Sequence, residues 1–122
     1  MNGPALLTGH VTDLGDQPDL AGNLFPVDAE FDDPSLEVTG QLPARLQGSF
    51  IRNGPNPLFS PIGRYHMFDG DGMLHSVTFD EGRVAYRNRW IRSRGLQAEA
   101  ELGRALYPGL SEVMDFPDPA LV

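Results

Sequence analysis

The sequence predicts a mainly β protein of short antiparallel strands, with an extended N-terminal arm and one short helix. Three observations predict this: strand-like alternation on both sides of a turn over 73–93, helix-forming residues after it, and an acidic, aperiodic start. With 122 residues and 40% hydrophobic residues, the chain is one domain or less and has enough apolar side chains for a packed core. It has no cysteine, which excludes disulfides and thiolate chemistry.

The first third of the chain predicts little regular structure. Residues 1–22 are polar, acidic and interrupted by Gly and Pro, so we predict a flexible arm there and a domain over 23–122. Asp32-Asp33-Pro34 predicts a turn or a helix start. Leu36 to Gly40 alternates apolar and polar residues, which predicts a short strand.

A second strand and a turn follow. Ser49-Phe50-Ile51-Arg52 is predicted as a brief strand, followed by the turn phrase Asn53-Gly54-Pro55-Asn56-Pro57. Gly tolerates positive φ and Pro cannot donate to a β-ladder, so such phrases are typical of turns between short strands.

The strongest local pattern predicts an antiparallel hairpin. Residues 73–79 alternate, with His75, Val77 and Phe79 on one side, and Asp80-Glu81-Gly82 is a turn of hairpin length with Gly where positive φ is needed. The chain then runs back over 83–93. One face of this returning strand is predicted to carry Val84, Tyr86 and Trp90, and the other Arg83, Arg87 and Arg89.

The last part of the chain predicts one helix. Residues 96–106 are rich in helix formers, and the phrase Tyr107-Pro108-Gly109 is predicted to end the helix. The tail contains Pro117 and Pro119 and is predicted to be a loop.

The charge distribution argues against a nucleic-acid partner. The net charge is −8, and residues 1–44 carry acidic side chains but no basic one, whereas every arginine lies within 45–104. A net-negative chain repels polyanions at long range, so we interpret the arginine-rich middle as an exposed strand face with ion pairs. The start of the chain has no basic region before its apolar residues, which argues against a secretory signal and favours a cytoplasmic location.

The potentially reactive side chains form no complete catalytic constellation. His66, with Asp69 or Asp71, has the residue types of a non-haem iron triad, but nothing in the sequence makes His66 and His75 converge across a Gly-rich turn. Asp69-Gly70-Asp71-Gly72 is similar to the start of a calcium loop but lacks the required later Gly and Glu. No serine lies in a Gly-x-Ser-x-Gly context, and without lysine no P-loop is present. We therefore predict no catalytic residue and no metal ligand in this chain.

Three longer phrases nevertheless resemble one enzyme family. They are Gly48 to Pro57, then Tyr65-His66-Met67-Phe68-Asp69-Gly70-Asp71-Gly72-Met73-Leu74-His75, and then Tyr86 to Ser93. In this order they resemble the opening of the carotenoid cleavage oxygenases, a family that includes the lignostilbene dioxygenases. The resemblance covers residues 23–95.

The resemblance implies a seven-bladed β-propeller with Fe(II) on its axis, held by four histidines. It implies an enzyme that inserts O₂ across a C=C bond of an apolar polyene or stilbene, and that contacts membranes peripherally when complete. Blades of roughly 40–45 residues would fill one or two of the seven positions here. The fold that the resemblance implies is thus a partial propeller.

The resemblance also implies that this chain lacks the iron site. The motif histidines His66 and His75 are not iron ligands in the family, and the ligands are expected downstream of the aligned residues. We expect this chain alone to bind no catalytic iron and to be inactive. The family's aromatic before Asp-Gly-Asp-Gly suggests Phe68 as a substrate-tunnel wall, although a core aromatic that anchors the turn is an equal alternative. The alternative function is a non-enzymatic, β-rich binding module.

Overall fold

The computed structural model describes residues 5–12 and 17–112, and their main feature is one four-stranded antiparallel sheet. The strands lie in the order β1-β4-β3-β2, and one α-helix follows them. The prediction of a mainly β chain with antiparallel strands and one short helix is confirmed. The elements are β1 (Asp32–Asp33), β2 (Gly48–Pro55), β3 (Gly72–Asp80), β4 (Arg83–Trp90) and α1 (Arg94–Leu102), with short 3₁₀ turns at Pro18–Leu20, Gly22–Leu24 and Met67–Asp69.

The hairpin of β3 and β4 is the best-predicted element. Phe79 pairs with Val84 and Met73 with Trp90, so the two strands match over their whole length. Glu81 and Gly82 have φ values of 49° and 82°, the paired positive dihedrals of a two-residue hairpin turn. The predicted faces of β4 are confirmed. The strand pairs without a bulge from Arg83 to Trp90, and successive side chains of a strand point to opposite faces of the sheet.

One edge of the sheet departs from prediction. Asp32 and Asp33, predicted as a turn or helix start, form β1 and pair with β4. The cause is the Asn88 side chain, which is completely buried and bonds the backbone of Phe31 and Ala29, so it holds this segment beside β4. The strand predicted over 36–40 is absent, since this segment makes one backbone bond to the sheet, from Leu36 N–H to the Val84 carbonyl.

The other edge, β2, is longer than predicted. The prediction placed a turn over 53–57, but β2 continues to Pro55, which pairs with Gly72 of β3. Proline is tolerated at this position because β2 is an edge strand, and the next residue, Asn56, still donates its N–H to the Asp71 carbonyl.

Helix α1 begins as a capped helix and ends earlier than predicted. The Ser93 side chain accepts a hydrogen bond from Leu96 N–H at 3.1 Å, which caps the first turn. Gly103, with φ 74°, ends the helix in the left-handed conformation, and its N–H bonds the Glu99 carbonyl. The predicted end at 107–109 is therefore wrong. Among residues 5–12 and 17–112, no helix has the length and apolarity needed to cross a bilayer.

The core lies where one end of the sheet meets the loop after β2 and the start of α1. Its buried members are Leu58, Phe59, Met73, Trp90 and Leu96. Residues of the predicted arm pack nearby: Thr8 bridges to Ala29 and His10 to Phe59. The arm's flexibility and the domain boundary at 23 stay predictions, and the predicted loop with Pro117 and Pro119 lies outside the described residues.

Candidate functional site

The two unusual sequence phrases meet at one end of the sheet. Asn56 N–H donates to the Asp71 carbonyl at 2.7 Å, and Leu58 N–H donates to Asp71 Oδ2 at 2.9 Å. We call this contact the motif junction and define it as residues 55–58 and 69–72. It joins the end of β2 to the start of β3, which is why both phrases are rich in Gly, Pro, Asn and Asp.

Asn56 is the central polar group of the motif junction. Its side chain accepts from Val27 N–H and donates to the Val27 carbonyl, both at 2.8 Å. Its backbone carbonyl accepts the indole N–H of Trp90 at 2.7 Å. Asn56 is only 5% exposed, so these bonds satisfy a polar group that water does not reach. The sequence marked Asn56 as a turn residue but gave no sign of these long-range partners.

His66 and Asp69 cap the 3₁₀ turn that enters the junction. His66 N–H donates to Asp69 Oδ2 at 3.0 Å, and His66 Nδ1 accepts from Phe68 N–H at 3.1 Å. This reciprocal arrangement is a capping box. The other oxygen of Asp69 accepts from Leu110 N–H at 2.8 Å. His66 and Asp69, two of the side chains with iron-triad chemistry, therefore bond to backbone groups.

The two remaining histidines lie in separate settings. His75 Nδ1 and Tyr86 Oη are 2.6 Å apart on the sheet, and His10 stacks on Phe59 with ring centroids 5.4 Å apart. Burial, and then the charge of Arg52, lower the pKa of His75, which favours the neutral ring. Within the described ranges, no cluster of three or more His, Cys, Asp or Glu side chains has metal-site geometry. The residues present do not fit a four-histidine iron site.

Phe68, the predicted tunnel-wall residue, lies on the 3₁₀ turn and is 77% exposed. Its only ring contact in the described chain is an edge-on approach to His66, with centroids 4.8 Å apart. The alternative in which Phe68 is a core aromatic is wrong, since the ring lies outside the core. The assignment of Phe68 to a substrate wall stays a prediction.

A polar cavity of about 170 Å³ lies between the motif junction and the loop after α1. Burial, and then the charges of Asp69, Asp71 and Asp19, raise the pKa of Tyr65 to about 12, so this phenol stays protonated. The other acidic groups at the cavity hold loops: Glu99 accepts from Leu106 N–H at 2.9 Å, and Glu112 from Arg64 N–H at 2.7 Å. The described residues that line the cavity thus hold loops in place, and no nucleophile is paired with a base among them.

Replacing Gly70 by alanine should destabilise the motif junction by about 1–3 kcal/mol, the usual cost of overpacking. A Cβ at this position would overlap the Tyr65 hydroxyl, Pro55 and the backbone nitrogen of Asn56, and backbone cannot move aside cheaply. Urea unfolding followed by circular dichroism measures the effect. Gly9→Ala is the matched control, because the nearest atom to its Cβ would be 3.3 Å away. Equal effects at both glycines would contradict this account of the junction.

Replacing Asp71 by asparagine should raise the free energy of unfolding at pH 7. Burial, and then repulsion from Glu99, raise the pKa of Asp71, while the Leu58 N–H bond opposes this shift. A carboxyl group whose pKa is higher in the folded than in the unfolded state stabilises the fold at pH values below its unfolded pKa. This stabilisation is lost as the pH rises through its folded pKa. The amide keeps an acceptor for Leu58 without the charge. Urea unfolding at pH 7 and pH 3 should show the gain only at pH 7, and destabilisation at pH 7 would contradict the prediction.

Sequence reasoning missed the buried ion pair of Glu30 and Arg92. Arg92 donates from both terminal nitrogens to the two oxygens of Glu30, each at 2.7 Å. Glu30 also accepts from Leu7 N–H at 2.7 Å and Trp90 N–H at 2.6 Å. Its side chain is completely buried. The only sign of this ion pair in the sequence is that Glu30 is a single acidic residue between the apolar Ala29 and Phe31.

The comparison with known proteins identifies the family. Residues 24–119 match the family described as RPE65, retinal pigment epithelial membrane protein. The chain therefore belongs to the RPE65 and carotenoid oxygenase family, and the resemblance noted in its motifs is confirmed.

Curated relatives are carotenoid-cleaving enzymes by name. The chain is 43% identical over 90 residues to the chloroplastic 9-cis-epoxycarotenoid dioxygenase NCED6 of Arabidopsis thaliana, a match that covers 73% of this chain and 16% of that protein. It is 45% identical over 78 residues to a carotenoid cleavage oxygenase of Mycobacterium tuberculosis, covering 62% of this chain and 16% of the relative.

Solved structures of longer enzymes match most of this chain. The lignostilbene dioxygenase of Pseudomonas brassicacearum matches with a TM-score of 0.74 and 33% identity, over 76% of this chain and 20% of that one. A Glu150Gln variant of the Synechocystis apocarotenoid oxygenase matches with a TM-score of 0.60 and 36% identity, over 66% and 17% of the two chains. The chain thus spans about a fifth or less of the length of these relatives.

Proposed function

We propose that this chain is the N-terminal part of a non-haem Fe(II) dioxygenase that cleaves a C=C bond in a carotenoid, apocarotenoid or stilbene-like substrate. The observation that carries the proposal is the family match over 24–119 together with a TM-score of 0.74 to a lignostilbene dioxygenase. The proposed fold of the complete enzyme is a seven-bladed propeller, to which the sheet β1–β4 contributes an early blade. O₂ and an apolar alkene are its proposed substrates. A cytoplasmic location with peripheral membrane contact is part of the same proposal.

In this proposal the motif junction is a structural device. It locks the end of β2 to the start of β3 through Asn56 and Asp71, and it presents the 3₁₀ turn with Phe68 at the surface. An exposed phenylalanine beside a rigid turn is available to line an apolar path that other segments complete. His66 shapes the turn from which Phe68 projects.

Iron would then be held by residues other than those described here. The histidines at 10, 66 and 75 are separated in the fold and engaged with an aromatic ring, a helix cap and a tyrosine hydroxyl. We accordingly propose that the 122-residue chain alone is inactive and that catalysis belongs to the complete polypeptide.

Iron binding and alkene cleavage test this proposal together. The 122-residue chain and a version extended to the length of the relatives are loaded with Fe(II) under nitrogen, desalted and assayed for bound iron. Each is then mixed with β-carotene or a hydroxystilbene in air, which supplies O₂, and assayed for aldehyde products. We expect iron and cleavage only in the extended protein. Stoichiometric iron with cleavage in the short chain, or an extended protein that binds no iron, would contradict the proposal.

A binding module without enzymatic activity is the second candidate. It is favoured by the completeness of the packing, since no buried side-chain polar atom among the described residues lacks a hydrogen-bond partner. A module of this kind unfolds cooperatively as a stable unit, and its extended version gains no activity. The same cleavage assay on the extended protein separates the two candidates.

A further inference from the structure

The 3₁₀ turn at Met67–Asp69 begins with an unusual capping residue. His66 is its N-cap, and the imidazole Nδ1 accepts the Phe68 N–H at 3.1 Å. Helix N-caps are usually Ser, Thr, Asp, Asn or Gly, none of which changes its charge near neutral pH. An imidazole can cap a turn only while its accepting nitrogen keeps a free lone pair. The stability of this turn is therefore linked to the protonation of one side chain.

The hydrogen bond to Phe68 assigns the tautomer of His66. A backbone N–H can only donate, so Nδ1 must accept and the ring proton lies on Nε2. Protonation of the ring would place a second hydrogen on Nδ1, directly against the Phe68 N–H. Because two donors cannot share one hydrogen bond, the charged ring must turn away and the cap is lost.

The surroundings of the turn offer partners to a ring that has turned away. Asp69 Oδ2 accepts the His66 N–H at 3.0 Å, and Asp19 Oδ2 accepts the Met67 N–H at 3.0 Å. Carboxylates accept strong hydrogen bonds from an imidazolium, so charged His66 has an alternative to the cap close by. The charged residues on and beside the turn, most of them carboxylates, are Asp19, Arg52, Arg64, Asp69, Asp71 and Glu112.

We propose that this 3₁₀ turn is a proton-sensitive switch, in which neutral His66 caps the turn and fixes Phe68, and protonated His66 releases both. The Phe68 ring follows the cap, because its only ring contact among the described residues is the His66 ring itself. The capping bonds join residues 66–69 to one another, so the switch is local. The inference goes beyond the proposed enzyme function and does not depend on it.

Nitrogen-15 NMR of the 122-residue chain tests the tautomer and the cap. At about pH 8 we expect His66 to carry its ring proton on Nε2. Protection of the Phe68 N–H from hydrogen exchange, relative to an unstructured chain at the same pH, should fall roughly fivefold between about pH 8 and pH 5, where imidazoles titrate. A ring proton on Nδ1 at the higher pH, or unchanged Phe68 protection, would overturn the proposal.

Two substitutions assign the pH dependence to His66. His66→Asn places an amide oxygen where Nδ1 lies and does not titrate, so the Phe68 N–H should be equally protected at both pH values. His75→Asn is the matched control, because His75 lines the same cavity as Met67 but bonds Tyr86 instead of the turn. This control should keep the fivefold fall. A pH dependence that survives in His66→Asn, or that disappears in His75→Asn, would equally overturn the switch.

Discussion

Replacing Glu30 by alanine should lower the free energy of unfolding by about 3–5 kcal/mol, the usual cost of breaking a buried ion pair. The carboxylate is completely buried and accepts two bonds from Arg92. It also accepts the backbone N–H groups of Leu7 and Trp90. Alanine leaves a half-buried guanidinium and these two N–H groups without their acceptor. The N-terminal segment would then lose its main polar link to the end of β4.

Urea unfolding followed by the fluorescence of Trp90, the only tryptophan, measures the loss. Asp32→Ala is the matched control, because Asp32 also pairs with arginines but its side chain is 42% exposed. Water compensates such a surface charge, so the control should change stability far less. Similar losses for the two variants would contradict a special role for the buried pair.

Acid should remove the contribution of Glu30. Burial alone would raise its pKa, but the bonds from Arg92, Leu7 N–H and Trp90 N–H outweigh burial and hold the pKa below 4.5. A carboxyl group whose pKa is lower in the folded than in the unfolded state stabilises the fold at pH values above its unfolded pKa. This stabilisation is lost as the pH falls through its folded pKa. Wild-type stability should therefore decline below pH 4.5, and Glu30→Gln should show a shallower decline. Parallel pH profiles would contradict this assignment.

The sequence could predict what short-range patterns determine. The β3–β4 hairpin follows from alternation and from Glu81-Gly82, whose dihedrals suit a two-residue turn. The composition of residues 96–106 predicts the helix, but the helix ends at Leu102 because Gly103 adopts the left-handed conformation. In both cases the signal lies within a few residues of the structure that it specifies.

The parts of the fold that the sequence did not predict depend on hydrogen bonds and ion pairs between residues that are far apart in the chain. β1 forms because Asn88, 57 residues away from Phe31, bonds its N–H, and because Arg87 and Arg89 hold Asp32. No local pattern distinguishes such an Asn from a turn residue. The candidate site shows the same division, since the two motifs were recognised from sequence but their contact through Asn56 and Asp71 was not.

Replacing Trp90 by alanine should cost about 3–5 kcal/mol of unfolding free energy, through the lost burial and the cavity that remains. Trp90 is 2% exposed, pairs with Met73 across the hairpin and belongs to the core cluster. Its indole N–H also bonds the Asn56 carbonyl, so the ring connects the core to the motif junction. Trp90→Phe keeps most of the ring and removes the donor, and should cost about 1–3 kcal/mol.

Circular dichroism in urea measures both Trp90 variants, because each removes the fluorescent probe. Phe68→Ala is the control: its ring is 77% exposed, so the change in stability should stay within about 0.5 kcal/mol. Phe68→Ala also tests whether Phe68 lines the substrate path. Loss of cleavage by the extended enzyme with unchanged stability would support that role. If Trp90→Phe were as damaging as Trp90→Ala, the hydrogen bond to Asn56 and not ring burial would dominate. The core and the motif junction would then depend on a single polar contact.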